Sequence, residues 1–229
     1  MRTSSVLALI LGCAISGTAA GQAVASGRPR SATPDTIDVA RVASAPMMDG
    51  RAGDREYGLP TLQFRTAAGS VRVWLGRHGD FLYIAADLPD STFYWGDDLV
   101  VSIDPAGRGG DSPSVGDRQW YLRRVLDSSV VAVAESGRWY SRGHEPAAIG
   151  TTRHHAEWDV ASSSSPKGWM VELRVRTTVI KPGSGAPRLA LRTYNDQPAG
   201  WWSWPTAPVG VPPQRVERMP DLWIPLRVR

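Results

Sequence analysis

The run Asp97-Asp98-Leu99-Val100-Val101-Ser102-Ile103-Asp104-Pro105 sets the tightest limit on what this chain can become. Leu99, Val101 and Ile103 fall on one face of an extended strand, whose side chains alternate with period two. Opening on two aspartates and closing on Asp-Pro, the run reads as the edge strand of a β-sandwich. The same alternation recurs along the chain. Val71, Val73 and Leu75 share one face, with Arg72 and Trp74 on the other. Phe81-Leu82-Tyr83-Ile84-Ala85-Ala86 reads as a buried strand, reached through a turn at 76–80, so the two form a hairpin. Residues 119–125 and 129–135 form a second hairpin around Asp127-Ser128. Trp169, Val171, Leu173 and Val175 alternate, as do Leu189, Leu191 and Thr193, and the chain closes on Trp223-Ile224-Pro225-Leu226. The Gly/Asp/Ser-rich stretch 105–117 is a long loop. Helical periodicity is nearly absent. Short strands at this spacing with Pro/Gly turns predict an all-β fold, an antiparallel β-sandwich.

The start of the chain carries a different pattern. Met1-Arg2-Thr3-Ser4-Ser5, an apolar stretch from Val6 to Ile15 and small residues around Ala20 and Ala25 predict an export signal over residues 1–25. Residues 26–36 read as a flexible linker, and 37–229 as one domain. Cys13 is the only cysteine and lies inside the signal, so the exported domain has no disulfide. The expected destination is secreted or periplasmic. Ile10-Leu11-Gly12-Cys13 offers lipid anchoring at Cys13 as the alternative. Net charge is +4, and removal of Arg2 leaves +3. The positive charge is almost all arginine, scattered singly rather than clustered as in nucleic-acid binders. No nucleic-acid partner and no membrane span are expected, and the oligomeric state is left open.

Five motifs then occur in a telling order. Met47-Met48-Asp49-Gly50 is followed by Asp54 and Tyr57. Leu82-Tyr83-Ile84-Ala85 is followed by Asp90. Next come the strand from Asp97 to Asp104, the run Gly168-Trp169-Met170-Val171-Glu172-Leu173, and Tyr194-Asn195-Asp196 with Ser203-Trp204-Pro205. The series resembles family 9 carbohydrate-binding modules, sandwiches of the immunoglobulin-like, DOMON-like kind. The chain departs from that pattern at Tyr57, where the family has tryptophan, and at Gly76, where it has aspartate. It also departs at Val100, where the family has an acidic residue, and at Ser102, where it has an aromatic one.

The resemblance implies a non-catalytic module, accessory to carbohydrate catabolism, that binds a poly- or oligosaccharide between two tryptophans. Rings stack on the apolar face of a pyranose, while amides, carboxylates and guanidinia bond its hydroxyls. Ten tryptophans against three phenylalanines suit such a role. Residues of this type concentrate at Tyr94-Trp95, at Arg138-Trp139, and at Asn195-Asp196-Gln197 with Trp201-Trp202. Trp95 and Trp202 are the expected walls, with Trp201 as the alternative to Trp202, and Asn195, Asp196, Gln197 and Arg138 are the expected polar contacts. Trp169, Trp204 and Trp223 are expected in the core.

Other chemistries compete. Asp97, Asp98, Asp104, Asp111 and Asp117 suggest a structural calcium, with Asp104 and Asp111 as its ligands around a glycine-rich loop. Some DOMON-like domains bind haem, for which Met47, Met48, Met170 or Met219 with His78 or His144 are the candidate ligands. Catalysis lacks a constellation. Glu135 and Glu172 are mid-strand, His154 and His155 point to opposite faces, and neither a nucleophile elbow nor a zinc-site spacing occurs. A ligand-free scaffold at the cell envelope is the remaining alternative, which Val100 favours.

Overall fold

In chain order the strands are β1 (Ile37–Arg41), β2 (Leu62–Arg65), β3 (Ser70–His78), β4 (Phe81–Pro89), β5 (Asp98–Asp104), β6 (Arg118–Arg123) and β7 (Val130–Glu135). They continue with β8 (Arg138–Ser141), β9 (Thr152–His154), β10 (Trp158–Ser165), β11 (Gly168–Arg176), β12 (Arg188–Asp196), β13 (Ala199–Trp204) and β14 (Ile224–Val228). Single-turn α-helices punctuate the described strands at α1 (Asp54–Tyr57), α2 (Thr177–Ile180) and α3 (Pro213–Val216). This computed structural model describes residues 34–94, 96–124, 130–135, 138–141, 152–154, 157–180 and 185–228; for β7, β8 and β9 it describes the backbone only. No helix among the described residues is long and apolar enough to cross a membrane.

One sheet runs β9-β10-β11-β4-β3, with β1 and β2 both on the far side of β3. The other runs β8-β7-β6-β5-β12, with β13 and β14 both on the far side of β12. The sheets meet at a seam where β1 and β14 pair in parallel, Ile37 opposite Leu226 and Val39 opposite Val228. β1 also pairs in parallel with β3; every other pairing among the described strands is antiparallel. The parallel pairs arise because β1 is a bridge. It starts the seam that the last strand closes and then runs on into the first sheet.

The core lies between the sheets and draws on both. Val71, Val73, Leu75, Leu82, Ile84 and Leu173 of the first sheet pack against Leu99, Val101, Ile103, Trp120, Leu189 and Leu191 of the second. Trp169 and Trp204 belong to this core, as the alternation predicts. Trp223 is equally buried but on the opposite side of the second sheet, where it packs with Ala190 and Val216. That small cluster fastens α3 to the outer face of β12, and the Trp223 indole donates to the Val216 carbonyl at 2.7 Å.

β5 corrects the edge-strand expectation. It lies inside its sheet, paired with β12 on one side and β6 on the other, and all seven residues are buried. Its polar ends mimic an edge strand because both aspartates are satisfied inside the protein. Asp98 meets an arginine and a tyrosine, and Asp104 meets backbone amides.

Glu172 also has a structural role. Fully buried on β11, it accepts hydrogen bonds from the Tyr57 hydroxyl at 2.7 Å and the Gly50 amide at 2.7 Å. The Asp49 and Arg51 amides also donate to it, at 3.1 and 3.3 Å. The Asp49-Gly50 turn, Tyr57 and the strand Glu172 are thus one physical unit. Gly50, at φ 76°, lies against the backbone of β10, where a Cβ would come within 2.3 Å of the Ser162 carbonyl carbon.

Candidate functional site

Parity decides which side chains gather on the outer face of the second sheet. With Leu99, Val101, Leu189 and Leu191 in the core, Asp98, Arg192 and Tyr194 face away from it. Register then sets their neighbours. Tyr121 and Arg192 flank Val100 from either side, Arg192 stands opposite Ser203, and Tyr194 stands opposite Trp201.

Arg192 is the hub of this face. Its Nη1 donates to both oxygens of Asp98, at 2.9 and 3.2 Å, and its Nε donates to Glu217 at 2.5 Å. The guanidinium lies 4.4 Å from the centre of the Trp201 ring and 5.4 Å from that of Tyr121. The Tyr121 hydroxyl donates to Asp98 at 2.5 Å. Trp201 packs against Tyr194 with ring centres 4.5 Å apart. Burial pushes the Asp98 carboxyl up to about 6, against the pull of Arg192 and Tyr121. Burial likewise raises Tyr121, with the Asp98 charge adding to it. Arg192, Trp201, Glu217 and the α3 residues Gln214 and Arg215, with Arg218, line an open cavity of about 310 Å³. That volume is at the lower end for small-molecule sites.

The departure at Val100 takes a concrete form here. Val100 is buried on the floor between Tyr121 and Arg192. The carboxylate on this face is Asp98, two residues earlier on the same strand.

A second set of contacts joins the segment before β5 to the end of the β12–β13 hairpin. Asp97 accepts from the Asp196 amide at 3.3 Å, from the Tyr94 amide at 3.2 Å and from Arg124 Nη1 at 3.2 Å. Arg124 also donates to the Thr92 carbonyl and covers the Phe93 ring at 5.1 Å. Asn195 is buried and donates its amide to the Pro89 carbonyl at 3.2 Å.

The structure therefore sorts the sequence candidates. Trp201 and Asp196 lie on or beside the Arg192 face. Tyr94, half-buried, contributes to the field that raises Tyr194, after burial and Asp196. Trp202 pairs with Thr193, on the opposite side of the hairpin from Trp201, and its ring lies over Gly200. Asn195 shares that side and is occupied by Pro89. Gln197 is exposed in the turn. Arg138 and Trp139 belong to β8, of which only the backbone is described, and Trp95 lies outside the described residues.

Asp104 and Asp111 do not come together around an open site. The glycine-rich loop folds around the Asp104 carboxylate itself, which accepts from the amides of Ala106, Gly107 and Gly109 at 3.0, 2.9 and 2.8 Å. Asp111 is exposed, and no group of three or more His, Cys, Asp or Glu able to hold a metal occurs among the described residues. Of the methionines named for haem, Met48 and Met170 pack beside Trp74 and Tyr83, and Met47 is exposed. His78 Nδ1 lies 3.3 Å from the Val42 carbonyl, while His144 is outside the described residues.

Sequence reasoning missed Arg192, Tyr121 and Glu217, and read Asp98 as part of the strand motif and of the aspartate group that suggested calcium, not as a member of a sugar site. For Arg192 the signal was present. It alternates with Leu189, Leu191 and Thr193, and so had to lie on the face away from the core. Glu217 carried no such signal, because α3 is placed by the burial of Val216.

No protein-family model matches the chain, and no curated protein matches its sequence. Among the solved structures that match its fold are two of a family 9 carbohydrate-binding module from Caldicellulosiruptor kristjanssonii. The one in complex with glucose matches at TM-score 0.50 and 14% identity, over 85% of this chain and 96% of that one. The one in complex with cellotriose matches at TM-score 0.51 and 14% identity, over 85% and 93%. The fold is that of the family 9 modules.

Proposed function

We propose that the domain is a non-catalytic saccharide-binding module whose site is the Arg192 face. One observation carries the reading: Trp201, Tyr121, Arg192 and Asp98 meet beside a cavity of about 310 Å³. They do so on a fold shared with modules solved with glucose and with cellotriose. An aromatic wall next to hydrogen-bonding groups held by one another is what a pyranose requires. Trp201 supplies the wall on the hairpin side. Trp95, by resemblance, supplies the second. Trp202 and Asn195, turned to the other side of the hairpin, support the site rather than touch the sugar.

The carboxylates fit this reading better than hydrolysis. Glu172 is held by Tyr57 and three backbone amides, and Asp98 and Glu217 are both engaged by Arg192. A glycosidase acid and base need carboxyl groups directed at substrate. Export from the cytoplasm is part of the same proposal, supported by the signal-like pattern of residues 1–25.

The test is tryptophan fluorescence of the domain titrated with glucose, cellotriose and a panel of other oligosaccharides. A saturable change is expected, lost in Trp201→Ala and Trp95→Ala, with the Tm of each variant within a few degrees of the parent. A flat response of the parent across the panel overturns the reading.

A further inference from the structure

We infer that the cavity beside Trp201 selects a sugar carrying an anionic substituent over a neutral one; this rests on the saccharide reading above and narrows it. The argument begins with which charges around the cavity are already used. Asp98 is buried against Arg192 and Tyr121. Glu217 is engaged on both oxygens. Oε2 accepts from Arg192 Nε, and Oε1 lies 4.0 Å from Arg218 Nε. Its side chain is only 13% exposed, against 71% for Arg218. Asp98 and Glu217 stand against Arg192, Arg215 and Arg218, so one net positive charge remains around the cavity, carried at its rim.

That excess is placed where a ligand meets it. Arg215 and Arg218 are exposed at the rim, and Gln214 stands beside them as a neutral donor and acceptor. The rim is also held in position. Val216, between the two arginines, is fully buried against Trp223 and Ala190, and its carbonyl accepts from the Trp223 indole. The Arg218 amide donates to the Arg215 carbonyl at 2.9 Å, which closes the turn between them. Two arginines on that turn and an indole 37% exposed line the same cavity, and so offer a ring surface and a cationic edge to one ligand. Guanidinium forks bind carboxylate and sulfate oxygens in pairs. A neutral hexose would leave Arg215 to solvent and Arg218 with only its 4.0 Å contact to Glu217. A uronic acid or a sulfated sugar would engage them.

The experiment titrates the domain at about 20 mM and about 500 mM salt, where screening differs severalfold in range. The probes are cellotriose, tri-galacturonate and a sulfated disaccharide. Binding of an anionic probe at least tenfold tighter than cellotriose at low salt is expected, with the advantage eroded at high salt. The double variant Arg215→Gln/Arg218→Gln should lose the advantage while keeping the parent Tm. Preference for tri-galacturonate identifies the carboxylate as the group read, and preference for the sulfated probe identifies the sulfate. Equal or tighter binding of cellotriose overturns this inference and leaves the saccharide reading standing. Binding of no probe, together with a flat panel, overturns both.

Discussion

Glu172 shows how a single residue can look functional and act structurally. A glutamate in the middle of a strand, beside a glycine turn and a tyrosine, has the composition of an active site. Yet all of its hydrogen-bonding capacity is turned inward, to Tyr57 and the amides of Asp49, Gly50 and Arg51. Burial raises its carboxyl above the usual range, while the Tyr57 and Gly50 donors oppose that rise. Removing the side chain strands three amides and a hydroxyl in a buried place, and each unsatisfied group costs roughly 1–3 kcal/mol. Glu172→Ala should therefore lower stability by roughly 3–5 kcal/mol, read by urea unfolding. Glu172→Gln, which keeps one acceptor oxygen for the amides and an amide group for the Tyr57 oxygen, should recover more than half of that loss. Equal losses in the two variants would mean that side-chain volume, not the donors, is what the site requires.

At the scale of elements, the alternation of strands was legible and the partners of the polar positions were not. Leu99, Val101 and Ile103 announce their strand because apolar period two has one cheap solution. The choice between Trp201 and Trp202 depends on the register of β13 against β12, which no local pattern encodes. Trp201 gains the outer face because it lies opposite Tyr194. The loop 105–117 makes the same point. Its aspartates suggested a cation, and Asp104 instead organises backbone amides. Asp117, also fully buried, accepts from the Ser114 amide at 2.8 Å, and its other oxygen has no hydrogen bond. Burial pushes Asp117 up to about 6, the Ser114 amide opposes this, and the Asp104 charge adds to it. With a folded pKa above the unfolded value near 3.8, this group favours folding below about pH 4. That contribution is lost as pH rises through about 6. Asp117→Asn, which imitates the protonated form, should match the parent at pH 4.5. At pH 7.5 it should exceed the parent by on the order of 1–2 kcal/mol, measured by unfolding at the two pH values. A variant less stable than the parent at pH 7.5 would show that the ionised carboxylate is wanted, as a cation ligand would be.

For the whole molecule, the governing fact is that the first and last strands close the sandwich on each other. Ile37 and Leu226 face each other across the β1–β14 seam, and both are buried in the shared core. β1 continues into the first sheet through Gly76, and β14 into the second through Leu189. Nothing local favours this pairing. It brings together residues from opposite ends of the domain, and neither strand is long enough to specify it alone. What specifies it is that each sheet exposes an apolar flank until the other arrives. If that is the driving force, the two sheets unfold as one unit. Leu226→Ala should then cost roughly 2–5 kcal/mol, the range for truncating a buried leucine. The urea midpoint should fall while the slope of the transition stays unchanged. Ile37→Ala combined with it should cost less than the two single losses added, because contacting residues couple. A shallower or two-step transition in Leu226→Ala would mean instead that each sheet holds together without the seam. The Arg192 face, built on the second sheet and on the α3 turn packed against it, would then survive its opening.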